Sequence, residues 1–250
     1  MFNKFLSNLQ QLNPTTLSEL DSVSLQNRID SKYILNEIEM VNLLPCLIEN
    51  YKILTIKDER VFSYENNYFD TADYLFFRDH HNGYANRIKV RSRRYVESDL
   101  CFFEIKKKEK INRTNKHRES LTALVADINL EKRELIQSFT RKELIDLQLI
   151  LKNNFKRITL VNNEFTERVT IDFKIHFADE TNEVNFEGIT VVEIKQSKSS
   201  QASPLVSFLK ESNTREQSFS KYIFGVISLK PEIKKNNFLP ILKNINKIKN

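Results

Sequence analysis

Five segments of this chain alternate charged and apolar side chains, and this period of two restricts the fold more than any other feature. The clearest segment is NRIKVRSRRY at 86–95, in which every second position from Arg87 to Arg93 is basic. The same alternation occurs in RIDSKYIL (28–35), FFEIKKK (102–108), ERVTIDFKIHF (167–177) and TVVEIKQ (190–196). Alternate side chains of a β-strand point to the same side. We therefore predict five strands, each with one charged face and one apolar face.

Two arrangements of such strands are physically reasonable. The charged faces could meet solvent over an ordinary core, as in half-buried antiparallel sheets. Alternatively, the sheet could curl so that its charged face lines the inside and helices cover its apolar outside. The second is favoured because arginines concentrate in one strand and several amphipathic helices need an apolar surface on which to pack. The predicted fold class is α+β, an antiparallel β-barrel tunnel with a charged interior, surrounded by helices.

The remaining segments divide the chain into three parts. Residues 1–26 are predicted to form an N-terminal helical extension, 27–228 the tunnel domain, and 229–250 a basic C-terminal tail. Within the domain, we expect helices at 36–49, with Asn36 as N-cap, and at 74–80, 130–151, 204–212 and 219–228.

Composition narrows the classes of function without choosing one. The 250 residues are 40% hydrophobic and 29% charged, which is typical of a soluble globular protein, and the net charge is +6. This charge admits nucleic acid, an anionic membrane surface or a polyphosphorylated small molecule as partner. The two cysteines lack metal-binding spacing, and no apolar run is long enough to span a membrane, so a cytoplasmic location is expected.

The residue types of the charged faces are typical of phosphate binding. The three glycines form no GxGxxG or P-loop pattern, so side chains must hold any bound phosphate. Arginine binds phosphate through its planar fork, and lysine adds compact charge. The predicted interior cations are Arg28, Lys32, Arg87, Lys89, Arg91, Arg93, Lys106 and Arg168. Nucleic acid is not expected as a partner, since the KKKEK run lacks interleaved aromatic residues.

Acidic residues among these cations indicate a metal. Glu104 and Glu193 make poor phosphate ligands but good ligands for a divalent ion that bridges phosphate oxygens. Asp172 fits either a metal site or an internal salt bridge to an arginine. Linear polyphosphate or a nucleoside triphosphate is therefore the predicted class of ligand.

The order of these motifs resembles the VTC domain, the polyphosphate-polymerase branch of the CYTH-like triphosphate tunnel metalloenzymes. The resemblance rests on RxDxKY (28–33), YFDT (68–71), the spaced basic strand from Gly83 to Tyr95, FxEIKxK (102–108), RxTID (168–172), VEIK (192–195) and FSKY (219–222). One position departs from it, because members often carry a lysine where this chain has Ser218.

The resemblance implies a polymerase that transfers the γ-phosphate of ATP to a growing polyphosphate chain with the help of Mn²⁺ or Mg²⁺. Its implied catalytic residues are Arg91, Arg93, Lys106 and Arg168. Its implied phosphate- or nucleotide-binding residues are Lys32, Lys195 and Lys221, and the strand pattern adds Arg28, Arg87 and Lys89. Its implied metal ligand is Glu193, and the strand pattern adds Glu104 as a second predicted ligand. The basic composition and the Lys-rich tail also allow docking to a membrane-protein partner.

Two other functions fit the same residues. One is a tripolyphosphate or nucleoside-triphosphate hydrolase, although hydrolases of this group typically begin with Glu-x-Glu-x-Lys where this chain has Arg28-x-Asp30-x-Lys32. The other is a non-catalytic module that holds polyphosphate.

Overall fold

The alternating segments form one large, mostly antiparallel sheet. The computed structural model describes residues 2–23, 28–109, 114–140, 146–197 and 203–249. The strands are β1 (Asn13–Thr15), β2 (Arg28–Leu35), β3 (Tyr51–Leu54), β4 (Phe62–Thr71), β5 (Arg87–Tyr95), β6 (Leu100–Lys108), β7 (Thr114–Leu121), β8 (Leu147–Asn162), β9 (Glu167–Ala178), β10 (Glu183–Phe186) and β11 (Thr190–Ser197). Their main order is β2-β11-β9-β8-β4-β5-β6-β7; β3 also pairs with β8, β10 with β9, and β1 runs parallel to β3.

Helices lie between these strands and at both ends of the chain. They are α1 (Phe2–Asn8), α2 (Leu17–Ser22), α3 (Glu37–Asn42), α4 (Leu44–Asn50), α5 (Leu75–His81), α6 (Leu130–Thr140), α7 (Pro204–Glu211), α8 (Lys221–Leu229) and α9 (Leu239–Lys249). No helix in the described part of the chain has the length and apolar character that crossing a membrane requires.

The sheet curls into a tunnel. In a flat sheet, the five strand steps from β2 to β5 would separate them by about 24 Å. Instead, Lys32 on β2 donates to the carbonyl of Phe219 (3.0 Å), and Lys89 on β5 donates to the hydroxyl of Ser220 (2.8 Å), the next residue. The α+β tunnel prediction is thus confirmed. The edge strands β2 and β7 are not paired with each other over the described residues, so the tunnel is not a closed barrel.

The apolar faces of the strands point outward onto helices, as predicted. On one side, Tyr33, Ile171 and Val192 pack with α1, α3, α4 and α7 in one buried cluster. On the other side, Val90 and Ile105 pack with α5 and α6. The charged faces of these strands therefore point inward, and below they are called the interior face, represented by Lys32, Arg91, Glu104, Asp172 and Glu193.

A bulge in β9 breaks the predicted alternation. Lys174 has a positive φ of 49°, and the pairing of β8 with β9 shifts register beside it. As a result, Ile175 and Phe177 join the apolar cluster inside the tunnel, while Lys174 is exposed. Strict alternation places Lys174 and His176 on the interior face with Asp172, and this is wrong because a bulge changes which side each later residue faces.

Most predicted helices are confirmed, and one is too long. Asn36 caps α3, since its side chain accepts from the amide of Glu39 and the Glu39 carboxylate accepts from the amide of Asn36. The helix predicted over 130–151 ends as α6 at Thr140, and β8 begins at Leu147. A short apolar run such as LQLIL fits either period, and pairing with β4 decides it.

Both ends of the chain pack against the sheet. Phe5, Leu9 and Leu12 are at most 1% exposed and belong to the outer cluster of α3 and α4. Ile245 of α9 is buried in the cluster that contains α8.

Candidate functional site

Helix α8 lies inside the tunnel and fills one end of it. At Gly225, a Cβ atom would lie 2.6 Å from Cδ2 of Leu151 on β8 and 2.7 Å from Cδ1 of Phe177 on β9. The helix therefore rests directly on the sheet at the one residue type that permits this approach. Tyr222 donates from its hydroxyl to the fully buried Asp70, which fixes the helix to β4.

The N-terminus of α8 points into the charged part of the tunnel. Ser220 is its N-cap, with Oγ accepting from the amide of Ile223 at 3.5 Å and from the ammonium of Lys89. Lys221 is the first residue of the helix. Helix N-termini favour anions, because their free amides and the helix dipole both present positive charge.

Three carboxylates of the interior face divide its charges into three groups. The first is Asp172 on β9. It accepts a two-pronged pair of hydrogen bonds from Arg157 on β8, at 2.6 and 2.8 Å, and another from the Lys221 ammonium. Burial would raise its pKa, but Arg157 and Lys221 outweigh this and lower the pKa of Asp172 to about 2. Of its two predicted roles, the structure favours the salt bridge.

The second carboxylate, Glu104 on β6, is completely covered by cations. Arg91 reaches one oxygen through Nε (2.6 Å) and Nη2 (2.5 Å), while Lys116 (2.7 Å) and Arg118 (2.7 and 2.9 Å) reach the other. Its side chain is 0% exposed. Although burial opposes ionisation, Arg91 and Arg93 hold the pKa of Glu104 well below its usual range.

The third carboxylate, Glu193 on β11, is more accessible. Lys195 lies 2.9 Å from one oxygen and Lys32 lies 3.8 Å from the other, and 21% of the side chain is exposed. Burial would raise its pKa, but these two lysines keep the pKa of Glu193 well below its usual value. The carboxylate is therefore ionised at any physiological pH.

Several interior cations face the tunnel without a carboxylate partner in the described part of the chain. Arg93 donates to the neutral amide of Asn66 (2.7 Å) and lies over the ring of Tyr64, and only 7% of it is exposed. Lys89 bonds Ser220 alone, and Lys106 makes no salt bridge among these residues.

The pKa shifts of these cations show the cost of holding them together. Burial, with Lys32 and Lys106 nearby, lowers the pKa of Lys89 well below its usual value. Burial and Arg91 lower the pKa of Lys106 to about 7. Burial also lowers the pKa of Lys221 to about 8, even beside Asp172. An anion that binds among these cations therefore stabilises the cluster.

Two predicted interior cations, Arg168 and Arg28, lie away from this cluster, whereas Arg87 lies two positions before Lys89 on the same face of β5. Arg168 donates from Nη2 to the carbonyl of Leu20, at the C-terminal end of α2, and its buried Nε has no hydrogen-bond partner among the described residues. Arg28 is exposed at the start of β2 and pairs with Asp30 at 2.8 Å. Arg87 lies at the start of β5, where burial lowers its pKa.

The structure also adds interior cations that the sequence pattern did not single out. Arg157 on β8 lies near the bulge of β9 in a run of mixed residues, and Phe155, two positions before it, gave the only signal of an inward face. Lys116 and Arg118 alternate along β7, which is a signal of the same kind as in β5.

The residues present fit a divalent metal at one position. Glu193 offers a hard, ionised oxygen that reaches the tunnel, and Mg²⁺ or Mn²⁺ is often held by one or two carboxylates plus substrate phosphates. Glu104 does not fit as the second ligand, because five donor contacts from three cations occupy both of its oxygens. Over the described residues, no group of three or more histidine, cysteine or acidic side chains could hold a metal.

Several solved structures share a distant likeness with this chain. A candidate adenylate cyclase from Bacillus halodurans has 13% identity and a TM-score of 0.48, with 78% of this chain and 94% of that chain covered. One from Vibrio parahaemolyticus has 12% identity and a TM-score of 0.46, covering 80% and 99%. A candidate adenylyl cyclase from Hippeastrum with dominant triphosphatase activity has 16% identity and a TM-score of 0.45, covering 83% and 100%.

Comparison with curated proteins gives no match. The family model of the VTC domain matches residues 27–230, which include β2 to β11 and all of α8. Because this match spans most of the chain, the protein belongs to the VTC domain family, and its chemistry is related to triphosphate and polyphosphate.

Proposed function

We propose that this protein is a metal-dependent polyphosphate polymerase that uses ATP. The observation that carries the proposal is a group of interior cations, Arg93, Lys89 and Lys106, that have no carboxylate partner among the described residues. Arg93 is buried, both lysines are half-buried, and Lys89 contacts the N-cap of α8. A linear chain of phosphates would supply the negative charge that this group lacks within the described residues. Family membership supports the same class of ligand.

The reaction is a phosphoryl transfer. A terminal oxygen of the acceptor chain forms a bond to the γ-phosphorus of ATP, the bond from that phosphorus to the β–γ bridging oxygen breaks, and ADP leaves with this oxygen. The acceptor oxygen is already ionised, so no general base is required. Such reactions depend mostly on positioning and on neutralising charge.

The interior residues have separate roles in this proposal. Arg93 has no acidic partner in the described chain and is the strongest candidate to hold the transferred phosphate, whereas Arg91 is already bound to Glu104. Arg157 and Lys221 are oriented by Asp172 toward the same space. A divalent ion held by Glu193 would neutralise phosphate oxygens when it is bound.

Strand β2 supports a polymerase over a hydrolase. Hydrolases of the wider group typically carry two acidic residues on the strand that corresponds to β2, and here that strand has only Asp30. The Asp30 carboxylate is 40% exposed and pairs with Arg28, so it does not act with Glu193 as a second metal ligand.

The test is to incubate the purified protein with ATP and MnCl₂ and to separate the products on a polyphosphate gel. We expect retained chains and ADP. Release of orthophosphate without chains would overturn the polymerase and indicate a hydrolase, while binding without turnover would indicate a holding module.

Variants locate the activity in the tunnel. Replacing Arg93 by Met is expected to slow synthesis on the order of 10²-fold, the size found when one charge-stabilising donor is removed. Lys156, exposed on the outer side of β8, is the matched control, and its replacement by Ala should leave synthesis unchanged.

A further inference from the structure

A row of three lysines runs across the tunnel wall toward the open edge of the sheet. Lys89 on β5 pairs in register with Lys106 on β6, and Lys106 pairs in register with Lys116 on β7. Directly opposed residues of antiparallel strands share a face, with Cβ atoms about 5 Å apart. Like charges in such pairs repel, so three in a row need a reason beyond folding.

The row changes from half-buried to exposed along its length. Lys89 contacts the N-cap of α8 inside the tunnel, and both Lys89 and Lys106 are half-buried. Lys116 lies on the edge strand with 37% of its side chain exposed. The row therefore connects the phosphate site with solvent.

A second row beside it holds the edge in place. Arg91, Glu104 and Arg118 are paired across the same three strands, and Glu104 bridges the two arginines as well as Lys116. Arg118 also donates to the hydroxyl of Tyr95 (2.9 Å) and stacks on Phe102. These contacts fix the orientation of the Arg118 guanidinium before any ligand binds, although 37% of the side chain is exposed.

Both axial ends of the tunnel are covered in this structure. At the end near Phe177, α8 rests on the sheet through Gly225. At the end near Arg168, α2 lies over the opening, with Leu20 and Val23 buried against the interior cluster and the Leu20 carbonyl bound to Arg168. By contrast, β7 pairs only with β6 over the described residues.

We propose that a long polyphosphate chain leaves the tunnel sideways, along the lysine row Lys89–Lys106–Lys116 and over the β7 edge, with Arg118 as a further contact. This inference rests on the proposed function for its ligand. It assigns Lys116 and Arg118 to a subsite that long chains occupy and that a triphosphate, held deeper in the tunnel, does not reach.

The test compares binding of tripolyphosphate and of long-chain sodium polyphosphate by calorimetry without ATP. Replacing Lys116 by Ala should weaken the long chain about fivefold more than tripolyphosphate, the effect of one partly exposed charge contact. The slope of log Kd against log salt concentration should decrease by about 1 for the long chain only. The variant Lys116→Arg should restore both, and Lys156→Ala should change neither.

The outcomes separate this inference from the proposed function. Equal weakening of both ligands, or of neither, would overturn the sideways path, as would a failure of the wild-type protein to bind the long chain. A wild-type protein that makes no polyphosphate but shows the length-dependent loss would overturn the polymerase and leave the path standing. Lys116 is on the surface, and unchanged thermal denaturation of the variant establishes that it is folded.

Discussion

Individual residues of the tunnel are placed for ligand binding at the expense of stability. Lys106 is half-buried beside Arg91, with its pKa lowered to about 7 by burial and by Arg91, and it forms no salt bridge in the described chain. Arg93 is buried beside Arg91 and Arg157, which together with burial lower its pKa. Functional sites commonly retain such unfavourable groups because the ligand compensates for them.

Replacing Lys106 by Met should therefore stabilise the ligand-free protein. The unfolded chain holds this proton up to about pH 10.4, so folding at pH 7 must partly release it or bury the charge. We expect the free energy of unfolding in urea at pH 7 to rise by about 1–3 kcal/mol. Tripolyphosphate affinity should fall at least about tenfold. The same change at the exposed Lys156 should affect neither quantity, and a destabilised Lys106→Met protein would contradict the argument.

The sequence pattern locates single residues well and their partners poorly. Alternation alone puts Lys106 and Glu193 on one face, and this is where the structure has them. It does not show that Asp172 binds Arg157, 15 positions away, and Lys221, 49 positions away. Such pairs depend on strand order and on the bulge beside Lys174, and neither is encoded locally.

At the scale of elements, α8 is the one whose position the sequence least reveals. Its sequence KYIFGVISL is apolar on nearly all sides, which is typical of a helix buried on all sides rather than on one face. The structure buries every residue from Tyr222 to Ile227 inside the curled sheet. Only the assembled tunnel provides this environment, so a prediction from local pattern assigns the helix but not its place.

Gly225 makes this packing possible, so its replacement by Ala should loosen α8. The added methyl group would meet Leu151 and Phe177 at 2.6–2.7 Å, and both side chains are fully buried. Overpacking of this kind typically costs about 1–3 kcal/mol, against a gain in helix propensity of about 1 kcal/mol. We expect a lower midpoint in urea and weaker tripolyphosphate binding, because Lys221 and Ser220 move with the helix. The variant Ser228→Ala on the same helix should retain tripolyphosphate affinity, and an unchanged midpoint for Gly225→Ala would show that α8 is not tightly packed.

At the scale of the whole molecule, the tunnel concentrates lysines that lose protons on folding. Burial lowers the pKa of Lys89, Lys106, Lys195 and Lys221. The unfolded protein then binds more protons than the folded one from about pH 7 to about pH 10. In that range, the slope of stability with pH is positive, opposite to what lysines in strong ion pairs would give.

The ligand-free protein should therefore become more stable as the pH rises from about 7 to about 9.5. Above this range the trend should reverse, because burial and Asp70 raise the pKa of Tyr222, so that the unfolded chain loses this proton while the folded protein retains it. Tripolyphosphate should flatten the rise, since bound anions restore the protons of Lys106 and Lys221 and stabilise the fold most near pH 7. Thermal denaturation in phosphate-free buffers, with and without tripolyphosphate, measures both curves. A ligand-free protein whose melting temperature falls steadily from pH 7 to pH 9 would show that these lysines keep their protons, and that the tunnel is neutralised by other means.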